Sequence, residues 1–116
     1  MSFHSLKQWE IYKVKLSPAH RDPHPVIIYS NDELCASEYA PHVNCLMASS
    51  KPPAAHIKPH QVILDEADGL DHLSTIDCRF IWIIAKEDLG SPIGKVSSAR
   101  IQAISRKISA VFRHVF

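Results

Sequence analysis

Glycine is scarce in this chain, with three residues, at 69, 90 and 94, among 116. That scarcity excludes a glycine-rich phosphate loop and nucleotide hydrolysis of the P-loop kind. Cysteine is equally sparse: Cys35, Cys45 and Cys78 form an odd set at wide spacings. Such a set argues against a secreted disulfide framework and for a reducing, cytoplasmic setting. No long apolar run is present. The longest, FIWIIA from Phe80 to Ala85, is strand-sized, far short of the roughly 18 residues that cross a bilayer. The N-terminal MSFHSLKQWE has no apolar core of a signal peptide, so neither secretion nor a membrane partner is expected. Neither sign of charge prevails, since 13 Lys and Arg stand against 12 Asp and Glu, a net charge of +1. A broadly basic coat for nucleic acid is thereby excluded, and any RNA site has to be a local concentration of charge.

What is present is a globular composition, 46% hydrophobic and 22% charged. A chain of this length fits a single domain over residues 1–116 and buries roughly 65% of its unfolded surface. Eight histidines make its charge near neutral pH adjustable. From Trp9 to Leu16, Tyr12, Val14 and Leu16 alternate with Lys13 and Lys15, the period of a strand with one solvated face. The proline-punctuated loop SPAHRDPHP, Ser17 to Pro25, leads to a second strand, Val26 to Tyr29, which gives way to a turn at Ser30, Asn31 and Asp32. Glu33 to Pro41 is ambiguous. Val43 to Ala48 reads as a third strand and Gln61 to Leu64 as a fourth. The β-branched and aromatic stretch Ser74 to Ile84 reads as one long central strand. Lys86 to Leu89 fits one helical turn. From Ser97 onward, Ile101, Ile104, Ile108 and Val111 recur at helical steps, an amphipathic helix of about four turns. Ser97 or Ser98 is placed to cap it, and Lys107 and Arg113 to complement its dipole. The expected class is α+β and mainly β: a small curled antiparallel sheet or SH3-like barrel with a C-terminal amphipathic helix over an opening.

Several chemistries can be weighed on spacing alone. His56 and His60 are four apart, but Pro59 and the Pro52–Pro53 pair argue against the helix that would put both rings on one face. Cys35 and Cys45 are separated by far more than the two to four residues of a zinc finger. Asp65, Glu66, Asp68 and Asp71 imitate a calcium loop, yet Leu64 would fall at its first ligand position, so a solvated acidic turn is expected. Cys45 and Cys78 lie in apolar strands, where thiols are usually inert. The loop between the first two strands gathers His20, Arg21, Asp22 and His24 among three prolines. Imidazoles there can move protons near neutral pH, and a guanidinium can grip a phosphate through two hydrogen bonds. On the central strand, alternation puts Asp77 and Arg79 on one face, where the acid either orients the guanidinium or neutralises it as a structural pair.

The order of these segments, with V-K-L-S-P, H-P-V-I-I-Y-S-N-D and I-L-D-E-A-D-G-L-D-H-L-S-T-I-D-C-R, resembles the MazF/PemK-type toxins of toxin–antitoxin pairs. The tail A-K-E-D-L-G-S-P-I-G-K-V-S-S-A-R-I-Q-A-I-S is similar to that family's I-G-x-L-S segment and terminal helix. The resemblance implies a compact barrel working as a homodimer and a metal-independent endoribonuclease needing no cofactor. It further implies a single-stranded RNA substrate and a cognate antitoxin as partner. CcdB-type toxins share the fold and poison DNA gyrase without catalysis. The terminal His114-Val115-Phe116 would then be the informative surface, and a catalytically degenerate binding module is the third reading. Residue by residue, Lys7-Gln8-Trp9-Glu10 stands where members begin with an Arg-Gly-Asp-like stretch, and His24-Pro25 replaces an Arg-Pro. His20 matches a loop histidine, Ser49 a hydroxyl residue, and Asp77-Cys78-Arg79 reverses an Arg-Cys-Asp. By that resemblance the catalytic set is His20, Arg21, His24, Asp77 and Arg79. The histidines would act as base or acid, the arginines on phosphate, and Asp77 would hold Arg79. Ser49 and Lys51 would bind substrate.

Overall fold

The structure, a computed structural model, describes residues 5–15, 23–49 and 57–113. Its element order is β1 (Glu10–Val14), β2 (His24–Ile28), α1 (Asp32–Ala36), β3 (His42–Ser49), β4 (Gln61–Leu64), β5 (Ser74–Asp77), β6 (Trp82–Ala85), β7 (Gly94–Lys95) and α2 (Ser98–Phe112). Two short 3-10 turns, Glu66–Asp68 and Lys86–Asp88, complete it. The seven strands form one curled antiparallel sheet in the order β4-β5-β3-β2-β1-β7, with β6 also paired to β3. This is the expected α+β, mainly β architecture with a terminal helix.

Alternation sorts the core into two layers. Ile11, Ile27, Leu46, Ala48, Ile76, Val62 and Leu64 point to one face, where Ile104 and Ile108 of α2 cover them. Tyr12, Val14, Val26, Ile28, Val43 and Cys45 point to the other, closed by Cys35 of α1 and by Ile84. Each buried Ile or Leu contributes roughly 1.5–3 kcal/mol of transfer free energy, so the helix-covered face is a principal source of stability. Asn31 and Asp32 open α1 rather than a turn. The Asn31 side chain accepts from the Leu34 N–H at 2.9 Å, and residues left ambiguous by periodicity follow as helix.

The long central strand expected over Ser74 to Ile84 is two strands. A turn at Cys78 and Arg79 interrupts it. β5 pairs with the end of β3 (Ser49 opposite Thr75), and β6 with its beginning (Val43 opposite Ile84). Across the turn the two ladders fall out of step, so the sheet bends around one strand instead of extending flat.

The acidic segment is solvated at Glu66 and Asp71, as expected, but not at Asp68. Asp65 caps the Glu66–Asp68 turn, and the buried Asp68 carboxylate accepts from the Asp65 N–H at 3.0 Å and the Ser97 N–H at 2.9 Å. Ser97 therefore caps α2 through no side chain of its own. Its backbone is tied to Asp68 instead. Arg100, one turn into α2, bonds Asp65 at 2.7 Å and the Ile63 carbonyl, and lies 3.5 Å from Asp68. Gly69, with φ of +88°, packs its backbone on Gly94, where a Cβ would collide with the Asp68 carbonyl. Lys107, expected to complement the helix dipole, falls short of the last turn, which holds no basic residue, and its Nζ instead donates to the Gln61 carbonyl at 2.7 Å. The α2 helix is thus fastened at both ends to β4 and its following turn.

Candidate active site

Asp77 ends β5 opposite Gln61. The chain then turns, and the Arg79 N–H donates to Asp77 Oδ1 at 3.0 Å, so the carboxylate caps the turn that follows it. The guanidinium returns to the same group, with Nε 3.0 Å from Oδ1 and Nη2 2.7 Å from Oδ2. These two near-parallel bonds are a bidentate pair. The Arg79 side chain is 49% exposed and that of Asp77 31%. Hydrogen bonding from Arg79 holds the Asp77 carboxyl below its ordinary value, against a smaller opposing effect of burial. The Nη1 donors of Arg79 take no partner among the described residues. The other side of the guanidinium lies 5.2 Å from the centre of the exposed Phe80 ring.

Ser49, the last residue of β3, stands opposite Thr75 of β5. His24, the first residue of β2, stands opposite Val14 of β1. Carrying the β2–β3 register two residues past the Val26–Met47 pair sets His24 level with Ser49. The pleat then places His24, Ser49, Thr75 and Asp77 on one sheet face, the face of Tyr12, Val14 and Val26. Trp82, opposite Cys45, is exposed on that face. Of the residues expected to form the site, His24 and Ser49 therefore lie level at the end of β3, Asp77 lies level with Met47 two residues in from that end, and Arg79 is carried by the turn that follows Asp77. His20, Arg21 and Lys51 lie outside the described residues, as do His56 and His114-Val115-Phe116.

Three further residues share this surface and escape a reading by pattern. Phe80 and Trp82 belong to the apolar run FIWIIA, yet both are exposed beyond the turn at Cys78 and Arg79. Thr75 lies within β5. The Thr75 hydroxyl is buried and makes no hydrogen bond among the described residues.

The thiols play no part in such a site. Burial pushes Cys45 up to about 12 and Cys78 up to about 11, far from the thiolate a nucleophile needs. Among the described residues, no three His, Cys, Asp or Glu side chains gather as a metal site, and no helix is long and apolar enough to cross a membrane.

The fold is thus a curled antiparallel half-barrel closed by a terminal helix, with polar strand residues on one face and the Asp77–Arg79 pair at the turn beside them. The chain belongs to the PemK-like, MazF-like toxins of type II toxin–antitoxin systems, whose family profile matches residues 7–112. No curated protein matches it. Among solved structures, it is similar to an endoribonuclease in complex with its cognate antitoxin from a mycobacterial species. That likeness has a TM-score of 0.76 at 17% identity over 96% of this chain and 98% of the other. Mycobacterium tuberculosis toxin MazF-mt6 superposes with a TM-score of 0.74 at 20% identity, covering 92% of this chain and 99% of its own. A MazE–MazF structure from Deinococcus radiodurans gives 0.75 at 8% identity over 97% and 100%. At these identities the likeness establishes a shared fold.

Proposed function

We propose that this protein is a metal-independent endoribonuclease toxin that cuts single-stranded RNA and is held inactive by a cognate antitoxin. The observation that carries this reading is the exposed Asp77–Arg79 pair, beside the sheet end that holds His24 and Ser49. Cleavage of RNA needs a base to take the 2′-hydroxyl proton, so that the 2′-oxygen attacks the adjacent phosphorus. It also needs cationic donors for the charge on the phosphorane, and an acid to protonate the departing 5′-oxygen. His24, with His20, supplies the proton-transfer groups. Arg79, with Arg21, grips the phosphate, Ser49 donates a hydrogen bond to it, and Lys51 adds a backbone contact. Asp77 aims the guanidinium through its bidentate bond. Phe80 and Trp82 offer exposed aromatic faces beside the pair, suited to the unstacked bases of single-stranded rather than duplex RNA.

The test is purified protein with end-labelled RNA in EDTA. The wild type is expected to cut, and Arg79→Ala to lose cutting while keeping the fold. Undiminished cleavage by that variant removes Arg79 from the site. Growth arrest without RNA fragments would favour a protein target in the manner of gyrase poisons, and neither outcome a binding module.

A further inference from the structure

We propose that Thr75 is a positioning residue that acts through Ser49, its hydroxyl being a buried donor held in reserve for the Ser49 hydroxyl when substrate is bound. The inference rests on the nuclease reading above and deepens it. Thr75 is only 9% exposed, and its Oγ1 has no hydrogen-bond partner among the described residues. Buried hydroxyls in folded proteins are nearly always satisfied, and an orphaned one lowers stability relative to a methyl of the same shape. Valine would fill this β5 position without that penalty and with equal strand preference. Thr75 stands directly opposite Ser49 on the same sheet face. Side chains so paired have Cβ atoms about 4.5–5.5 Å apart, within reach of a hydroxyl–hydroxyl bond. When Ser49 donates its proton to a phosphate oxygen, its lone pairs become better acceptors, and Thr75 is placed to donate to them. The bond thus forms in the loaded state and fixes the Ser49 rotamer there. Thr75 itself does not touch RNA, since its hydroxyl oxygen is inaccessible to solvent.

The experiment compares wild type, Thr75→Val, Thr75→Ser and Arg79→Ala by thermal unfolding and by cleavage kinetics on one short RNA. Thr75→Val is expected to melt about 3 °C higher, the shift that removal of a modest burial penalty produces, and to lose about tenfold in kcat with KM unchanged. Thr75→Ser should restore most of the kcat, because it returns the hydroxyl without the methyl. Equal kcat for Thr75→Val and wild type, or a loss that Thr75→Ser does not rescue, overturns this proposal while leaving the nuclease reading intact. Absence of cutting by the wild-type protein overturns both.

Discussion

Two aspartate–arginine pairs lie at opposite ends of the β4–β5 ladder, and similar chemistry serves different ends in them. Arg100 is enclosed. It binds Asp65, reaches toward Asp68 and holds the Ile63 carbonyl, while Asp68, whose side chain is fully buried, accepts two backbone N–H bonds. Arg79 is open. It meets one carboxylate from its own turn and rests on an exposed ring, with donors to spare. The enclosed network joins α2 to the turn after β4, so each member is needed by the others and none can exchange its partner for a ligand. In the open pair, water screens the attraction, so its contribution to stability is small. A phosphate can share its guanidinium at little cost to the fold. The number of partners and the burial of Asp68, more than the identity of the residues, separate a fastening from a tool.

The comparison breaks most readily at Asp68. Asp68→Ala strands the Asp65 and Ser97 N–H groups and removes a charged partner from Arg100, and should destabilise the protein by about 3–5 kcal/mol in urea unfolding. A loss below about 1 kcal/mol would put this network among surface pairs. Next is Gly94→Ala, whose Cβ would strike the Asp68 carbonyl. It should cost about 2–3 kcal/mol by the same measurement, since the obstacle is backbone with no rotamer to escape into. Lys107→Met keeps the stem of the side chain but deletes its bond to the Gln61 carbonyl, and should cost about 1 kcal/mol. At the open pair, Arg79→Gln should leave the urea midpoint where it is while abolishing RNA cutting. A shifted midpoint would make Arg79 a fastening too. The smallest effect is on pH dependence. Because Arg79 lowers the Asp77 value, the pair's stabilisation is complete above the unfolded carboxylate range near pH 3.9 and fades as pH falls through the lowered folded value. A carboxyl NMR titration should show Asp77 moving up in Arg79→Gln, and no movement would deny the bond.

Much of the architecture was legible in the residues. Alternation at Tyr12, Val14 and Val26, and helical steps at Ile104 and Ile108, correspond to the two core layers, because burial on one face imposes its own period. Three features were hidden for distinct physical reasons. The break between β5 and β6 contains neither glycine nor proline, and arises from pairing with opposite ends of β3, a nonlocal cause. Strand β7 has two residues, too few to show any period. Asp68 reads as a solvent-facing acid because the groups that enclose it come from residues 97 and 100, remote in sequence. At the candidate site, strand periodicity led to the expectation that Asp77 and Arg79 share a face; the two do meet, but through the turn at Cys78 and Arg79 rather than along a strand. The exposure of Phe80 and Trp82 did not follow from the pattern, since a run of apolar residues looks the same whether covered or bare.

The bend between β5 and β6 has a consequence for how such a protein can change. Odd-numbered residues face the α1 side in β5, and even-numbered ones in β6, because the turn between them absorbs the difference. Adding or deleting one residue there would turn Trp82 and Ile84 to the wrong side or drag Thr75 and Asp77 after them. The segment from Ser74 to Ala85 can therefore diversify its side chains freely at the surface, but its length is locked. New substrate preferences would have to arise by exchanging residues such as Phe80 rather than by lengthening the loop that carries them.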